Sequence, residues 1–248
     1  MPGKLVLVGA GPGDPELLTV RAARALSEAD VVLKDRLVPD AVVERYVPED
    51  AKVVDVGKRP GGRGWTQEEI NELIVREGKR GKTVVRLKSG DPLIFGRGAE
   101  ELEVALEHGL EVEVVPGVTS ATGVPSALGL PLTHRRYASS FVVATGHEDP
   151  SKEEPRVDFE ELARAADTLV VLMGARRLRE IARDVRRAIG DAPMAIIERG
   201  TTEEERVRVC RLSDAEEGRV RAEPPAVIVI GEVVKWWSEV VGNGKVEG

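Results

Sequence analysis

The chain has 248 residues, which is long enough for one large domain or for two smaller domains that each bury a core. Its 42% hydrophobic and 32% charged residues are typical of a water-soluble globular protein, and a net charge of −7 with 3% aromatic residues argues against a general nucleic-acid binder. The single cysteine excludes an intrachain disulfide, and because no apolar run reaches about 18 residues we expect a cytoplasmic protein that does not enter a membrane.

In the first half of the chain, apolar runs alternate with helical patterns. Strands are predicted at 5–8, 31–33, 52–56, 83–87 and 111–115, and helices at 16–28, 66–81 and 98–108. Asp14 followed by Pro15 is a favoured helix start, and Thr66 with Glu69 three residues later predicts a capping box. This alternation predicts a largely parallel sheet with helices on both faces.

The second half also reads as α/β. A segment rich in Gly, Pro, Ser and Thr precedes it and contains a predicted short helix at 120–128. Strands are predicted at 141–144, 168–173, 194–198, 206–212 and 226–230, with a helix at 176–189, and together they fit a mixed sheet. We therefore predict an N-terminal domain at 1–116, a C-terminal domain at 117–241 and a short tail at 242–248.

The stretch VGAGPGDPELLT at 8–19 follows the first predicted strand and raises the question of a nucleotide site. Gly9 and Gly11 fit a dinucleotide fingerprint, and Asp35 lies near the position of its acid. The third glycine is replaced by Asp14, whose carboxylate would repel a pyrophosphate. A purely structural turn is one alternative. The pattern favours a cofactor without phosphate, such as S-adenosylmethionine, which carries a sulfonium and an ammonium.

A second dense motif, VVRLKSGDPLIFGRGAEE, surrounds another strand-to-helix turn. Three cations lie around it, and the simple alternative is a solvated helix face with Arg97 and Glu101 as an i,i+4 pair. Phe95 and two glycines interleave with the cations, which favours a ligand site at the carboxyl end of a strand. The three histidines are far apart and no H-E-x-x-H occurs, so no metal site is predicted.

These motifs resemble the tetrapyrrole methylase superfamily, and within it the enzymes that methylate uroporphyrinogen III. The resemblance runs in order through nearly the whole chain, in VGAGPGDPELLT, ADVVLKDRLV, VGKRPGGRGWTQEEIN, VVRLKSGDPLIFGRGAEE, VVPGVTSA, GLPLTHR, TGH, LVVLMG, ERGTT and PPAVIVIGEVV. It implies an N-terminal α/β domain with a mainly parallel sheet on the substrate side and a C-terminal α/β domain with a mixed sheet on the cofactor side. It further implies an active-site cleft between the two domains, and a homodimer.

The resemblance also implies an activity. S-adenosylmethionine would be the methyl donor and S-adenosylhomocysteine its product. Uroporphyrinogen III would be methylated at C2 and then C7 to give precorrin-2, in sirohaem and cobalamin biosynthesis, without a metal. A later corrin-ring methyltransferase and an enzyme that methylates the diphthamide precursor remain open, although FGRG and PLTHR favour uroporphyrinogen. An NAD-dependent oxidoreductase and a non-catalytic ligand-binding protein are the alternatives from other classes.

Matched positions imply the site residues. Cofactor contacts fall on Pro12, Ser89, Gly90, Asp91, Ser120, Ala121, Met173, Gly200 and Ala226. Catalytic roles fall on Arg97, Glu100 and Arg135, and substrate contacts on Lys58, Gln67, Arg86 and Phe95. Arginine forks suit the eight carboxylates of such a substrate. The chain departs from the family pattern at Lys34, Ser89, Ala99 and Glu205.

Overall fold

The computed structural model describes residues 3–57, 64–148 and 156–241. The chain divides into two compact units, Met1–Thr119 and Ser120–Gly248, and each has its own sheet and core. The predicted domain boundary lies after residue 116, and the predicted tail at 242–248 lies outside the described residues. Within the described ranges, no helix combines the length and the apolar character needed to span a bilayer.

The first unit is built on a five-stranded parallel sheet. The strands are β1 (Lys4–Gly9), β2 (Val31–Lys34), β3 (Lys52–Asp55), β4 (Thr83–Lys88) and β5 (Glu111–Val115). Their order is β3-β2-β4-β1-β5, and every neighbouring pair is parallel. The helices are α1 (Val20–Ser27), α2 (Asp40–Tyr46), α3 (Gln67–Gly78) and α4 (Gly98–Glu107). Separate apolar clusters pack α1 and α2 on one face and α3 and α4 on the other, so the predicted parallel sheet with two covered faces is confirmed.

Helix starts in this unit follow the capping residues. The predicted capping box is present, since Thr66 Oγ1 accepts from Glu69 N and Glu69 Oε2 accepts from Thr66 N. The first predicted helix, 16–28, is wrong in one respect, because a 3-10 turn at Pro15–Leu17 precedes the separate helix α1. Asp14 caps the turn and Thr19 caps α1, so two successive caps divide the segment.

The second unit has a mixed five-stranded sheet, as predicted. Its elements are α5 (Ser120–Leu128), β6 (Phe141–Thr145), α6 (Phe159–Ala165), β7 (Thr168–Leu172), α7 (Leu178–Ile189), β8 (Pro193–Glu198), β9 (Arg206–Arg211), α8 (Leu212–Glu216), β10 (Ala226–Ile230) and α9 (Glu232–Val240). The order is β6-β7-β10-β8-β9, with β6 and β7 parallel and the other pairs antiparallel. Trp237 of α9 is fully buried and its Nε1 donates to Leu128 O at 3.1 Å, which fixes α9 against α5.

Candidate active site

The glycine turns of the first unit meet at the carboxyl edge of its sheet. Gly11 and Gly90 exchange two backbone hydrogen bonds, with N–O distances of 3.2 and 2.7 Å, and both adopt positive φ. A Cβ on Gly9 would lie 2.5 Å from Gly117 Cα, and one on Gly117 would lie 2.2 Å from Gly90 O. The turns after β1, β4 and β5 are therefore joined by main chain, in a contact that larger residues would push apart.

Asp91 ties this junction together through its carboxylate. Oδ1 accepts from Leu93 N at 2.9 Å, and Oδ2 accepts from Gly117 N at 3.1 Å. Pro12 and Ser89 are half-buried beside the paired glycines. The structure therefore brings four predicted cofactor residues to one edge of the sheet, namely Pro12, Ser89, Gly90 and Asp91.

The first turn does not offer a pyrophosphate site. Asp14 Oδ1 accepts from Glu16 N at 2.8 Å, so a carboxylate already occupies the start of the helical segment. That segment is a 3-10 turn of three residues, which presents no full set of helical N–H groups to an anion. This geometry opposes the dinucleotide interpretation and is compatible with a cofactor that lacks phosphate.

A buried ionic cluster lies under the same edge, between the sheet and α3 and α4. Glu101 of α4 is fully buried, and its Oε1 accepts from Arg86 Nε at 2.9 Å while its Oε2 accepts from Lys88 Nζ at 3.0 Å. Arg86 Nη2 also donates to Asp35 Oδ1 at 2.5 Å. Gln67 Nε2 adds a bond of 3.2 Å to Glu101 Oε1. The four charges of the cluster cancel, so its two positive and two negative groups can share one low-dielectric site.

The burial of this cluster shifts the proton affinities of its cations. Burial first, and the neighbouring Arg86 charge second, lower the pKa of Lys88. Burial opposes the charge of Arg86, but the Asp35 and Glu101 carboxylates raise the pKa of that guanidinium above its usual range. Arg86 is 3% exposed. Its guanidinium, which was predicted to contact the substrate, already donates to acceptors within the protein.

The segment 92–97, which we call the Arg97 turn, carries the predicted catalytic residue. Phe95 and Arg97 adopt left-handed backbone conformations, with φ of 53° and 57°. Arg97 Nε donates to Glu100 Oε1 at 2.9 Å and its Nη2 to Oε2 at 2.5 Å, and both side chains are exposed. Arg97 thus pairs with Glu100, whereas the carboxylate of Glu101 faces the sheet. Strain at such positions commonly marks a functional segment.

Three further residues that the sequence analysis named are Gln67, Lys34 and Lys58, and the first two have different surroundings. Gln67 joins the cluster and also donates to Asn71 Oδ1 at 3.1 Å. Lys34 is buried, and its Nζ donates to the exposed Asp40 and to Val38 O, so this departure from the family pattern forms an ion pair with α2. Lys58 lies outside the described residues.

The second unit brings three predicted cofactor residues to one edge of its sheet. Met173 follows β7, Gly200 follows β8, and Ala226 begins the antiparallel strand β10 between them. Met173 is 49% exposed and has a φ of 57°, so the residue is accessible at this edge. A Cβ on Gly200 would lie 2.3 Å from Val124 Cγ1 of α5. The close packing of α5 against this loop therefore requires glycine at position 200.

The remaining predicted residues of this unit lie in or near α5. Ser120 and Ala121 form its first turn, and Ala121 is buried in the apolar core. Arg135 is exposed in a turn that two backbone hydrogen bonds between His134 and Ala138 close. Among the described residues, no group of three or more His, Cys, Asp or Glu side chains could hold a metal ion.

Sequence reasoning missed the residues that complete the first site. Asp35 was considered only as the acid of a dinucleotide fingerprint, yet its carboxylate lies after β2 and binds Arg86. Glu101 and Lys88 form the centre of the cluster, whereas in the sequence Glu101 enters only through the alternative of a surface pair with Arg97. The only available signal was that Asp35 and the Arg86–Lys88 segment lie at the ends of predicted parallel strands.

The fold and these site residues define a class, and comparison with known proteins identifies it. Residues 4–216 match the model of the family described as Tetrapyrrole (Corrin/Porphyrin) Methylases. The chain belongs to this family, which confirms the predicted resemblance.

Particular members of the family match over most of the chain. A uroporphyrinogen-III C-methyltransferase of Methanocaldococcus jannaschii is 47% identical over 239 residues, covering 94% of this chain and 98% of that protein. The crystal structure of uroporphyrin-III C-methyl transferase from Thermus thermophilus complexed with S-adenyl homocysteine matches with a TM-score of 0.81 and 46% identity, covering 94% of this chain and 100% of that one. The siroheme synthase of Photobacterium profundum is 45% identical over 99% of this chain, which spans 52% of that longer protein.

Proposed function

We propose that the protein transfers methyl groups from S-adenosylmethionine to uroporphyrinogen III, at C2 and then C7, to give precorrin-2. The observation that carries the proposal is the 47% identity, over nearly the full length of both chains, to a relative named uroporphyrinogen-III C-methyltransferase. The T. thermophilus structure, matched over 94% of this chain, holds S-adenyl homocysteine, the product expected from such a donor.

The described residues fit a donor of this chemistry. The bound cofactor supplies a methyl group on a sulfonium, which carries positive charge and no phosphate. In the first unit Asp14 disfavours a phosphate, and the Gly11–Gly90 pairing sets a rigid main-chain turn beside Pro12. In the second unit, the accessible Met173 side chain offers an apolar, polarisable contact. The proposed contacts are Pro12, Ser89, Gly90, Asp91, Ser120, Ala121, Met173, Gly200 and Ala226.

The chemical step requires mainly that the protein orient the substrate relative to the methyl donor. The donor would supply its methyl group to a pyrrole carbon of the electron-rich porphyrinogen, and the donor sulfur would keep the bonding electron pair. The protein must align carbon, methyl and sulfur and exclude water. We assign Arg97 to substrate orientation and charge stabilisation, because a guanidinium stays protonated in proteins and is therefore a poor base. Its ion pair with Glu100 fixes the direction of its fork.

A proton must leave the substrate after the methyl transfer. Glu100 and Asp35 are carboxylates at the carboxyl edge of the first sheet that can accept it, directly or through water. Arg86 holds Asp35 from the buried side and leaves that carboxylate partly exposed. The eight carboxylates of the substrate require cations, and the exposed guanidinium groups of Arg97 and Arg135 are the proposed partners.

The assembly and location are part of the proposal. We infer a cytoplasmic homodimer, and the family resemblance is what supports both statements. Light scattering during size-exclusion chromatography would measure the mass of the particle, and a monomer across the working concentration range would contradict the dimer. Cell fractionation would test the compartment.

The proposed activity is tested by anaerobic incubation with S-adenosylmethionine and uroporphyrinogen III. We expect the absorbance of a reduced isobacteriochlorin and a product mass increased by two CH2 units, since each methyl group gained replaces one proton lost. A parallel incubation with corrin-ring precursors tests the alternative within the family. Transfer to such a precursor without transfer to uroporphyrinogen III would reassign the substrate.

A further inference from the structure

Two oppositely charged side chains lie beneath the Arg97 turn. Lys88 is the last residue of β4 and is 3% exposed, and Glu101 lies in the first turns of α4 and is fully buried. Their Nζ and Oε2 atoms are 3.0 Å apart. The pair is thus shielded from water and salt, so its geometry is fixed by the elements that carry it.

Such a pair is a poor way to stabilise a fold. Removing two charges from water costs free energy that their attraction repays only with good geometry, and apolar residues of similar size often serve as well. Burial and the adjacent Arg86 charge lower the pKa of Lys88, which shows that its ammonium is held at a cost. A role other than stability therefore has to be sought in what the pair contacts.

The Lys88 side chain lies against the Arg97 turn, and Glu101 follows the turn on the helix to which Lys88 is paired. Lys88 Cε lies below Gly96, where an added Cβ would be only 3.2 Å away from it and 2.9 Å from Pro92 O. Glu101 is one helical turn beyond Arg97, and its backbone N–H donates to Arg97 O at 3.4 Å. Lys88 thus supports the middle of the turn, and Glu101 anchors the helix that begins at its end.

The turn needs such support because it is strained. Phe95 and Arg97 both have positive φ, which side chains other than glycine rarely adopt. Non-glycine residues remain in this region only when the surrounding structure determines it. The glycines at 96 and 98 allow close packing under the turn but supply no force that holds it.

We propose that Lys88 and Glu101 are positioning residues that hold the Arg97 turn in its left-handed conformation. The importance of this for catalysis rests on the proposed function, in which Arg97 orients the substrate. The conformational part does not depend on it and can be measured on the free protein.

The test uses a charge-balanced change and a matched control. Lys88→Met combined with Glu101→Gln removes one charge of each sign and leaves an amide oxygen to accept from Arg86 Nε. Glu77→Gln is the control, because Glu77 is also a buried carboxylate of the first unit, paired with Lys52 and Arg80 at the C-terminal end of α3. Lys88→Arg, which keeps the charge, is the conservative variant.

Amide hydrogen exchange and steady-state kinetics give separate readouts. In the double variant we expect exchange at 93–98 to become faster by about tenfold, with β1 and β2 unchanged. We expect kcat to fall by about 100-fold, as for a misplaced orienting group, while S-adenosylmethionine affinity changes by less than a few-fold. Glu77→Gln should show neither effect. Lys88→Arg, which keeps the charge, should retain most of the kcat of the wild type.

Each outcome decides the matter. Unchanged exchange at 93–98 overturns the positioning role, and faster exchange with an unchanged kcat overturns its catalytic consequence. An equal loss of kcat in Glu77→Gln would reduce the effect to general destabilisation. If the double variant does not fold, Lys88→Met alone is measured by the same exchange criterion. If the wild type methylates no uroporphyrinogen III, the proposed function fails, while the exchange result still tests the positioning role.

Discussion

The Asp91 side chain holds the main chain of Gly117, with 3.1 Å between Asp91 Oδ2 and Gly117 N. The two residues are far apart in the sequence but follow β4 and β5, whose carboxyl ends lie at the same edge of the sheet. The other oxygen of Asp91 accepts from Leu93 N, so one carboxylate fixes the conformation of both loops. The predicted cofactor residue Asp91 is therefore also a structural link.

Asp91→Ala is expected to weaken both binding and stability. The variant leaves two backbone N–H groups without their acceptor, so we expect the free energy of unfolding to fall by about 1–3 kcal/mol. Affinity for S-adenosylmethionine should fall by about tenfold or more, because the turn that carries Gly90 loses its support. Denaturant unfolding and titration calorimetry measure the two effects. Asp167→Ala is the control, since Asp167 accepts from Ser139 N and Ser140 N in the second unit and should leave cofactor affinity unchanged.

Arg97 variants should separate activity from stability. Arg97→Ala is expected to abolish turnover while S-adenosylmethionine affinity stays within a few-fold, because the proposed role of Arg97 is to orient the substrate. Arg97→Gly should be equally inactive but more stable than Arg97→Ala by about 1 kcal/mol, since glycine tolerates the positive φ at this position. Single-turnover assays and thermal unfolding measure the pair. Near-normal precorrin-2 formation by either variant would contradict the assignment.

An exposed ion pair elsewhere provides the control for Arg97. Arg164 pairs with Glu160 on α6 at 3.0 Å and is similarly exposed. Because exposed pairs contribute about 0–1 kcal/mol, Arg164→Ala should change neither activity nor stability strongly. A comparable loss of turnover in Arg164→Ala would mean that the effect of Arg97 is not local.

Glycine substitutions should distinguish close packing from backbone strain. Gly117→Ala would place a Cβ 2.2 Å from Gly90 O, so we expect a loss of about 3 kcal/mol or more in unfolding free energy. Gly109→Ala has no atom within 4 Å of the new Cβ and meets only a positive φ, with an expected cost of about 1–2 kcal/mol. Urea unfolding of both variants gives the comparison. Equal losses would contradict a tight main-chain junction.

Acid should remove a defined contribution of Glu113 to stability. Hydrogen bonds from Lys4 and then from Arg21 lower the pKa of Glu113 below 4.5. Because its pKa is lower in the folded chain than in the unfolded chain, its contribution is present above pH 4.5 and is lost as the pH falls through the folded value. Glu113→Gln should therefore destabilise the protein near neutral pH and have little effect in strong acid.

The measurement for Glu113 is the urea midpoint of wild type and variant across this pH range. Lys4→Met removes the first hydrogen-bond donor to Glu113. It should therefore make the stability of the protein less dependent on pH, as Glu113→Gln does. A difference between wild type and Glu113→Gln that stays constant with pH would show that the effect is not ionic.

Local patterns in the sequence were sufficient for most of the fold. Apolar runs located the ten strands that the described residues form, and the short helix at Ser120–Leu128 was predicted with its observed bounds. The helices α2, α6, α8 and α9 were not predicted, because they are short and their apolar residues do not form a long periodic stripe. Their stability comes from tertiary packing, as the burial of Trp237 illustrates.

The candidate site was predictable only in part. Motifs identified Asp91 and Arg97, because turns and cations at strand ends have local signatures. The contacts of Glu101 with Arg86 and Lys88 depend on how α4 packs on β4, and the bond from Arg86 to Asp35 spans neighbouring strands. The alternative of a surface pair between Arg97 and Glu101 does not hold, since local spacing does not show which residues of a helix face the sheet.

At the Gly11–Gly90 junction the backbone that joins the strand ends is independent of the side chains around it. Since main-chain atoms make the joint, neighbouring side chains can be exchanged without rebuilding it, as Ser89 illustrates where the family pattern has glycine. Among the described residues Gly90 has a positive φ whereas Ser89 does not, so a hydroxymethyl group is accommodated at no conformational penalty. New ligand preferences could thus arise around this joint by single substitutions while the strand ends keep their alignment.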